Sequence, residues 1–266
     1  MVNFFCPSLS NLLINFLYHT QYVQYQEAQY NEGLYSPIEE IQKLSDINEE
    51  TISEFASLKL VNANIYDKNL EKIVLKNINL ELHSKDKIWI YGPSGSGKSS
   101  LMFYLSGLLP FENSEQVFFN NLEITNSSLN QNVYLTKEKE DLIPGTLLDN
   151  LTFFEPTKEE FTKKLVDLLN LSDLNLNEQV NVDNYQYSHG QLQRIALIRA
   201  LNSDKNILIF DESISNIDQA NVVQILEFLQ NLDKTIILIS HTMKPKYQKY
   251  FNRKIEVAKG EVHELL

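Results

Sequence analysis

The sequence predicts an α/β domain built on a mixed or parallel central sheet. Apolar runs of strand length alternate along the chain with segments in which apolar residues recur at helical spacing. A glycine-rich turn at 92–97 joins one buried apolar run to the helix after it, and the chain ends in a pattern typical of a hairpin. Such alternation favours parallel strands connected by helices.

The predicted elements follow one another in chain order. Apolar or alternating runs predict strands at 73–82, 87–91, 132–135, 206–210 and 235–239. Helical spacing predicts helices at 97–106, 158–171, 191–201 and 221–232. In the second of these helices, the apolar side is expected to carry Phe161, Leu165, Leu168 and Leu169. The final segment, 254–265, turns at Lys259-Gly260 and is expected to be a hairpin.

Residues 1–55 are expected to form a helical extension that resembles the end of a transmembrane helix plus a linker, ahead of a domain at 56–266. No Asp, Glu, Lys or Arg occurs between Met1 and Gln26, but the apolar run at 4–18 is shorter than the roughly 20 residues that span a membrane. It also lacks the basic start of a secretory signal. Two interpretations stay open: a hydrophobic helix packed on the domain or on a partner, and the last part of a membrane helix.

The charge and the cysteine content exclude some partners and compartments. The formal net charge is -12 and the isoelectric point is about 4.9, so no basic surface of the kind that binds nucleic acid is expected. The single cysteine, Cys6, cannot form an internal disulfide, which fits a reducing compartment.

The glycine-rich turn has the full G-x-x-x-x-G-K-S spacing of a phosphate-binding loop. Its glycines permit a close approach of backbone N–H groups to an anion, and the positive end of the next helix points there. Lys98 is expected to reach the β and γ phosphates, and the Ser99 hydroxyl to bind Mg²⁺. The motif alone identifies only a nucleotide site. The predicted binding residues here are Gly92, Pro93, Ser94, Gly95, Ser96, Gly97, Lys98, Ser99 and Ser100.

Four further segments follow in a fixed order. They are Ser188-His189-Gly190-Gln191, Asp211-Glu212 after an apolar strand, Asp218, and His241 after another apolar strand. Together with the phosphate-binding loop, these segments resemble the ATP-binding cassette (ABC) family over residues 58–262. The resemblance implies the P-loop NTPase fold, with a helical subdomain at about 138–204 that carries the signature segment at 188–191.

The strand before Asp211 places its carboxylate beside the nucleotide, where it can take a magnesium-bound water. Glu212 is placed to accept a proton from the attacking water, and the resemblance makes it the general base. The resemblance also implies that His241 contacts the γ phosphate. The predicted catalytic set is therefore Glu212, His241 and Lys98, acting on ATP with Mg²⁺.

The signature segment implies a partner. In the family it caps the ATP held by the opposite subunit, so Ser188, Gly190 and Gln191 would complete the site of a second cassette. Asp218 would lie at the seam between the two. The resemblance thus implies a homodimer or heterodimer of cassettes arranged head to tail.

Two positions depart from the family pattern. Glu138 stands where the family carries a glutamine that contacts the nucleotide and Mg²⁺, with Gln131 as an alternative seven residues earlier; the predicted metal set is Ser99, Asp211 and Glu138. His189 replaces a glycine of the signature. For adenine stacking, Tyr66 is the best candidate, and an ordinary core or surface tyrosine stays open.

The segment at 142–151 resembles exporter-type cassettes, in which a Gly-Thr run faces the membrane domain. The resemblance implies an ATPase subunit or fragment at the cytoplasmic face of a membrane, driving transport through a transmembrane domain that another chain supplies or that is missing here. The alternative is a low-turnover regulatory cassette, motivated by Glu138 and His189. A soluble mechanical ATPase of DNA repair or translation is disfavoured by the absence of a coiled-coil insertion or a second cassette.

Overall fold

The framework of the described residues is a pair of β-sheets with five helices. The computed structural model describes residues 55–67, 72–109, 116–124, 129–136, 142–180, 187–211, 214, 217, 219–241 and 244–265. The strands are β1 (Ser57–Tyr66), β2 (Ile73–His83), β3 (Lys87–Tyr91), β4 (Gln116–Phe119), β5 (Leu122–Glu123), β6 (Val133–Leu135), β7 (Ile207–Asp211), β8 (Thr235–Ser240), β9 (Arg253–Ala258) and β10 (Glu261–Leu265). The helices are α1 (Lys98–Leu105), α2 (Leu147–Thr152), α3 (Glu159–Leu168), α4 (His189–Asn202) and α5 (Gln219–Gln230), with 3₁₀ turns at Pro156–Lys158 and Pro245–Tyr250.

The two sheets differ in strand direction. The smaller sheet has the order β2-β1-β4-β5 and is antiparallel throughout. The larger sheet has the order β10-β9-β3-β8-β7-β6, in which β9, β3, β8, β7 and β6 run parallel and β10 closes the edge as a hairpin. The predicted α/β fold with a mixed or parallel central sheet is thereby confirmed.

The larger sheet is buried on both faces because its strands are apolar at successive positions. Ile88 and Ile90 face a core that also contains the smaller sheet and α1. Trp89, between them, faces a second core with the helices α2 to α5. The sheet therefore lies between an antiparallel layer and a helical layer.

Within the described residues, every strand and helix predicted for the domain at 56–266 is present, with ends that differ by a few residues. The sequence patterns missed β1, β4, β5 and α2. In β1 the alternation is broken by Asn62, which has a φ of 53°, and the pairing of β1 with β2 shifts register there. The strands β4 and β5, of four and two residues, are too short to show a period.

The predicted apolar side of the second helix needs one correction. In α3 the buried residues are Thr162, Leu165 and Val166, whereas Phe161 is 36% exposed. The buried stripe thus runs at i, i+3 and i+4 from Thr162. The Thr162 hydroxyl can be buried because it accepts a hydrogen bond from the Asn202 amide at 2.8 Å. Phe161 instead lies near the ring of Phe228, at 6.3 Å between centroids.

Part of the prediction concerns residues that the structure does not describe. Residues 1–54, and with them the predicted N-terminal extension, lie outside the described ranges. Phe55 is the first described residue, and its buried ring packs on Phe119 at 5.1 Å. Within the described ranges, no helix has the length and apolar character needed to cross a membrane.

Candidate functional site

The site lies at the carboxyl edge of the larger sheet, where three parallel strands end side by side. Tyr91 on β3 is opposite Ser240 on β8, and Asp211 on β7 is opposite Ile239 on β8. The phosphate-binding loop follows β3, His241 follows β8, and β7 ends at Asp211. Ligands of open α/β sheets bind at this edge, so the predicted residues meet where chemistry is expected.

The loop backbone passes so close to its neighbours that two of its glycines cannot carry a side chain. Gly92 has a φ of 156°, and a Cβ atom there would lie 2.1 Å from the carbonyl oxygen of Val257 on β9. Gly97 has a φ of 103° and precedes α1, and its Cβ atom would lie 2.8 Å from Leu75 on β2. The glycine pattern is therefore required by the packing of the loop against both sheets.

Lys98 is buried at the start of α1, with its ammonium group turned back toward the loop. Its Nζ donates to the carbonyl oxygens of Gly92 and Pro93, each at 2.9 Å. The same Nζ lies 3.4 Å from Nδ1 of His241. The ammonium is thus held at the mouth of the loop beside the end of β8, where both side chains can meet one phosphate group.

The remaining loop residues fit a bound phosphate. Pro93, Ser94 and Gly95 are exposed, whereas Ser96 is half-buried. The Ser96 hydroxyl oxygen is buried and has no hydrogen-bond partner among the described residues. A buried polar atom is normally satisfied, and a phosphate oxygen in the loop would supply the missing partner. Gly97 and Ser100 are half-buried beside it.

Two oxygen-bearing side chains predicted to hold Mg²⁺ lie at the carboxyl edge of the larger sheet. Ser99 is exposed at the start of α1, and Asp211 is half-buried at the end of β7. No cluster of three or more His, Cys, Asp or Glu side chains suited to a metal occurs among the described residues. Mg²⁺ usually keeps waters and phosphate oxygens among its ligands, so a serine and one carboxylate suit it better than a full protein cage would.

Thr136, a residue that the sequence patterns missed, fixes the backbone at Asp211. Its buried hydroxyl donates to the carbonyl oxygen of Ile209 at 3.2 Å and accepts from the N–H of Asp211 at 3.3 Å. The signal in the sequence is a hydroxyl residue directly after the short apolar strand β6. Thr136 joins the ends of β6 and β7 and so sets the position of Asp211.

Three predicted site residues, Glu138, Glu212 and Asp218, lie outside the described residues. The alternative to Glu138, Gln131, is wrong. Gln131 precedes β6 and therefore lies at the amino edge of the sheet, opposite the site. Its carbonyl oxygen accepts a hydrogen bond from Lys205 at 2.8 Å.

The signature segment forms the N-terminus of α4. The Ser188 hydroxyl accepts from the N–H of Gln191 at 3.2 Å, and the Gln191 side chain accepts from the N–H of Ser188 at 2.8 Å. This capping box gives both side chains a local role. His189 is exposed, and within the described part of the chain nothing lies within 4 Å of a Cβ atom at Gly190. No described residue therefore packs against this side of the helix end.

Tyr66 lies at the end of the smaller sheet that contacts the loop. It is half-buried on β1 and is paired with Ile73 at the start of β2. The next residues of β2, Val74 and Leu75, pack against Gly97 of the loop. The position suits an aromatic beside a nucleotide, and adenine stacking stays a prediction.

The segment at 142–151 is held rigidly by its own polar side chains. Thr146 caps α2, and its N–H donates to Asp149 at 2.9 Å. Asn150 is 2% exposed; its amide donates to the carbonyl oxygens of Ile143 at 2.9 Å and Thr146 at 3.0 Å, and its oxygen accepts from the N–H of Ile143 at 2.8 Å. The shape of the segment is thus defined by contacts within this chain.

Comparison with known proteins identifies the family. The model of the ABC transporter family matches residues 75–215. The chain is 35% identical, over 65% of its length, to the lactococcin-G-processing and transport ATP-binding protein LagD of Lactococcus lactis. It is 32% identical, over 81% of its length, to the sublancin-168-processing and transport ATP-binding protein SunT of Bacillus subtilis. It spans only 26% and 31% of these two proteins.

A solved structure has the same fold. The structure of a bacterial Atm1-family ABC exporter with ATP bound superposes with a TM-score of 0.66 at 21% identity, over 80% of this chain and 39% of that one. The family match covers more than half of the chain, including the phosphate-binding loop and the signature segment. The chain therefore belongs to the ABC transporter family, as one of its ATP-binding domains.

Proposed function

We propose that this chain binds MgATP at the carboxyl edge of the larger sheet and hydrolyses it. The observation that carries the proposal is the convergence of Lys98 and His241, 3.4 Å apart, at strand ends that also carry Asp211. An ammonium and an imidazole at this spacing suit one γ phosphate.

Each of the predicted site residues has its own role in hydrolysis. Lys98, now bonded to loop carbonyls, transfers its hydrogen bonds to the β and γ phosphates, and His241 holds the γ phosphate from the side of β8. Glu212, directly after Asp211, takes the proton of the attacking water. Ser99 and Asp211, with Glu138, hold Mg²⁺, which neutralises charge on the phosphates.

A second cassette completes the site in this proposal. The N-terminus of α4 is open at Gly190 and carries the positive end of the helix dipole, which attracts phosphate. Ser188 and Gly190 then approach the ATP of the partner, with Asp218 at the seam. ATP bound between the two chains draws them together, and hydrolysis depends on this closure.

The cassette belongs to an exporter-type system in this proposal and works at the cytoplasmic face of a membrane. The rigid segment at 142–151, with its Gly-Thr run, is the surface that meets the transmembrane domain. The names of two relatives, LagD and SunT, include the processing and transport of lactococcin G and sublancin 168. These names favour a role in driving the export of a cargo selected by the transmembrane domain.

The test compares ATP hydrolysis by the full chain with that of Glu212→Gln, which keeps the side-chain shape but removes the base. We expect turnover to fall by about 10²–10⁴-fold, with ATP binding retained. A control variant, Glu178→Gln, changes a carboxylate in the loop after α3 and is expected to keep wild-type turnover. Equal, slow hydrolysis by wild type and Glu212→Gln would overturn the enzymatic proposal.

A further inference from the structure

Trp89, the only tryptophan of the chain, lies directly behind the site. It is 5% exposed, on the face of β3 that points into the helical core. Its indole N–H donates to the hydroxyl oxygen of Ser240 at 2.9 Å. Ser240 is the last residue of β8 and immediately precedes His241.

The bond runs diagonally between neighbouring strands. Trp89 is paired in register with Leu238, and Tyr91 is paired with Ser240, so the indole reaches one pleat beyond its own partner. A buried indole N–H needs an acceptor, and here the acceptor is the residue that leads into the site.

The indole is itself held in place by a second ring. Tyr91 stacks on Trp89 with the ring centroids 4.4 Å apart and the planes 25° apart. Burial, together with the Glu256 carboxylate on β9, raises the pKa of the Tyr91 phenol, so the ring stays neutral beside the loop. Two rings of β3 thus support the end of β8.

We propose that Trp89 is a positioning residue that, through Ser240, sets where His241 stands relative to Lys98 and the γ phosphate. The inference rests on the proposed function. Lys98 is tied to the loop that follows β3, and His241 follows β8, so the Trp89–Ser240 bond cross-links the two strands that carry the pair.

A small displacement at this point has a large effect on rate. A shift of about 1 Å in a catalytic geometry can cost about 10²-fold. Neither Trp89 nor Ser240 is among the residues proposed to bind the nucleotide, so loss of the bond is expected to change turnover much more than affinity.

The test uses four variants of the full chain: Trp89→Phe, Ser240→Ala, the double variant, and Ser240→Thr. We expect kcat to fall about tenfold in each single variant, with KM for ATP within about twofold of wild type. The double variant should be no slower than either single variant, because one bond is lost in all three. Ser240→Thr, which restores a hydroxyl, should recover most of the turnover.

Trp89 fluorescence gives a second readout. Ser240→Ala is expected to shift the emission of Trp89 and to abolish any change that MgATP produces in it. Ser240→Thr should keep the wild-type emission and the wild-type response to MgATP. Urea unfolding checks that each variant folds. If Trp89→Phe does not fold, the two Ser240 variants carry the test, because they leave the ring stack intact.

The outcomes separate the inference from the proposed function. A wild-type chain that neither binds nor hydrolyses ATP overturns the proposed function and the inference with it. A wild-type chain that hydrolyses ATP, with Ser240→Ala and Trp89→Phe equally fast, overturns the inference alone. Variants that bind ATP more weakly and have a higher KM, with kcat unchanged, also overturn the inference.

Discussion

Nζ of Lys98 lies 3.4 Å from Nδ1 of His241, although 143 residues separate the two along the chain. The contact depends on the parallel pairing of β3 with β8, because each side chain follows the end of one of these strands. The relationship is therefore a property of the sheet, and it brings together two groups that are proposed to bind phosphate.

Replacement of His241 by alanine is expected to reduce ATP turnover by about 10²–10³-fold, as the loss of one preorganised donor does elsewhere. ATP affinity should change little, because Lys98 and the loop remain. The measurement is steady-state phosphate release. His263→Ala, at an exposed position on β10, is the control and should keep wild-type turnover. A His241→Ala variant as fast as this control would contradict the assigned role.

Gly92→Ala is expected to lower the free energy of unfolding by about 2–5 kcal/mol, from overpacking and a left-handed backbone. The added Cβ atom would lie 2.1 Å from the Val257 carbonyl oxygen. Gly95→Ala is the matched control: its φ is also positive, at 73°, but nothing lies within 4 Å, so the cost should be about 1–2 kcal/mol. Urea unfolding measures both, and equal costs would show that the close approach is unimportant.

Asn150→Ala is expected to lower the free energy of unfolding by at least about 2 kcal/mol, because it removes the side chain that bonds both the N–H and the carbonyl oxygen of half-buried Ile143. The Thr146 carbonyl oxygen keeps the backbone N–H of residue 150 as its donor. Asn231→Ala removes an exposed asparagine and should change the free energy by less than about 0.5 kcal/mol. If the two variants were equally stable in urea, Asn150 would not be what holds the segment at 142–151.

Stability should rise with pH because of Lys205. Burial lowers the pKa of this lysine from 10.5 to about 8 in the folded chain. Between those values the unfolded chain binds more protons than the folded chain, so the free energy of unfolding increases with pH. Lys205→Met removes this contribution. The difference in unfolding free energy between wild type and Lys205→Met should therefore grow in favour of wild type from pH 8 to 10; a constant difference would contradict it.

Local spacing was enough to predict the parts of the site that are continuous in sequence. The phosphate-binding loop, the apolar strand before Asp211 and the strand before His241 each carry their own pattern, and the family resemblance gave their roles. The helix that begins at His189 was also predicted within two residues. These elements form where sequence neighbours decide the backbone.

The features that the sequence did not predict depend on pairing between distant segments. Thr136 meets Asp211, and Trp89 meets Ser240, only because parallel strands bring them into register. Phe161 was assigned to the wrong side of α3 because Thr162, a polar residue, takes the buried position with the help of Asn202. No pattern of apolar spacing contains such partners.

A binding titration decides whether the carboxyl edge of the larger sheet holds MgATP. ATP is titrated into the full chain and into Lys98→Ala, with and without Mg²⁺, and the affinity is measured. We expect saturable binding that is strengthened by Mg²⁺ in wild type and is weakened at least about tenfold in Lys98→Ala. Absence of magnesium-dependent binding in wild type, or equal affinity in both chains, would contradict it.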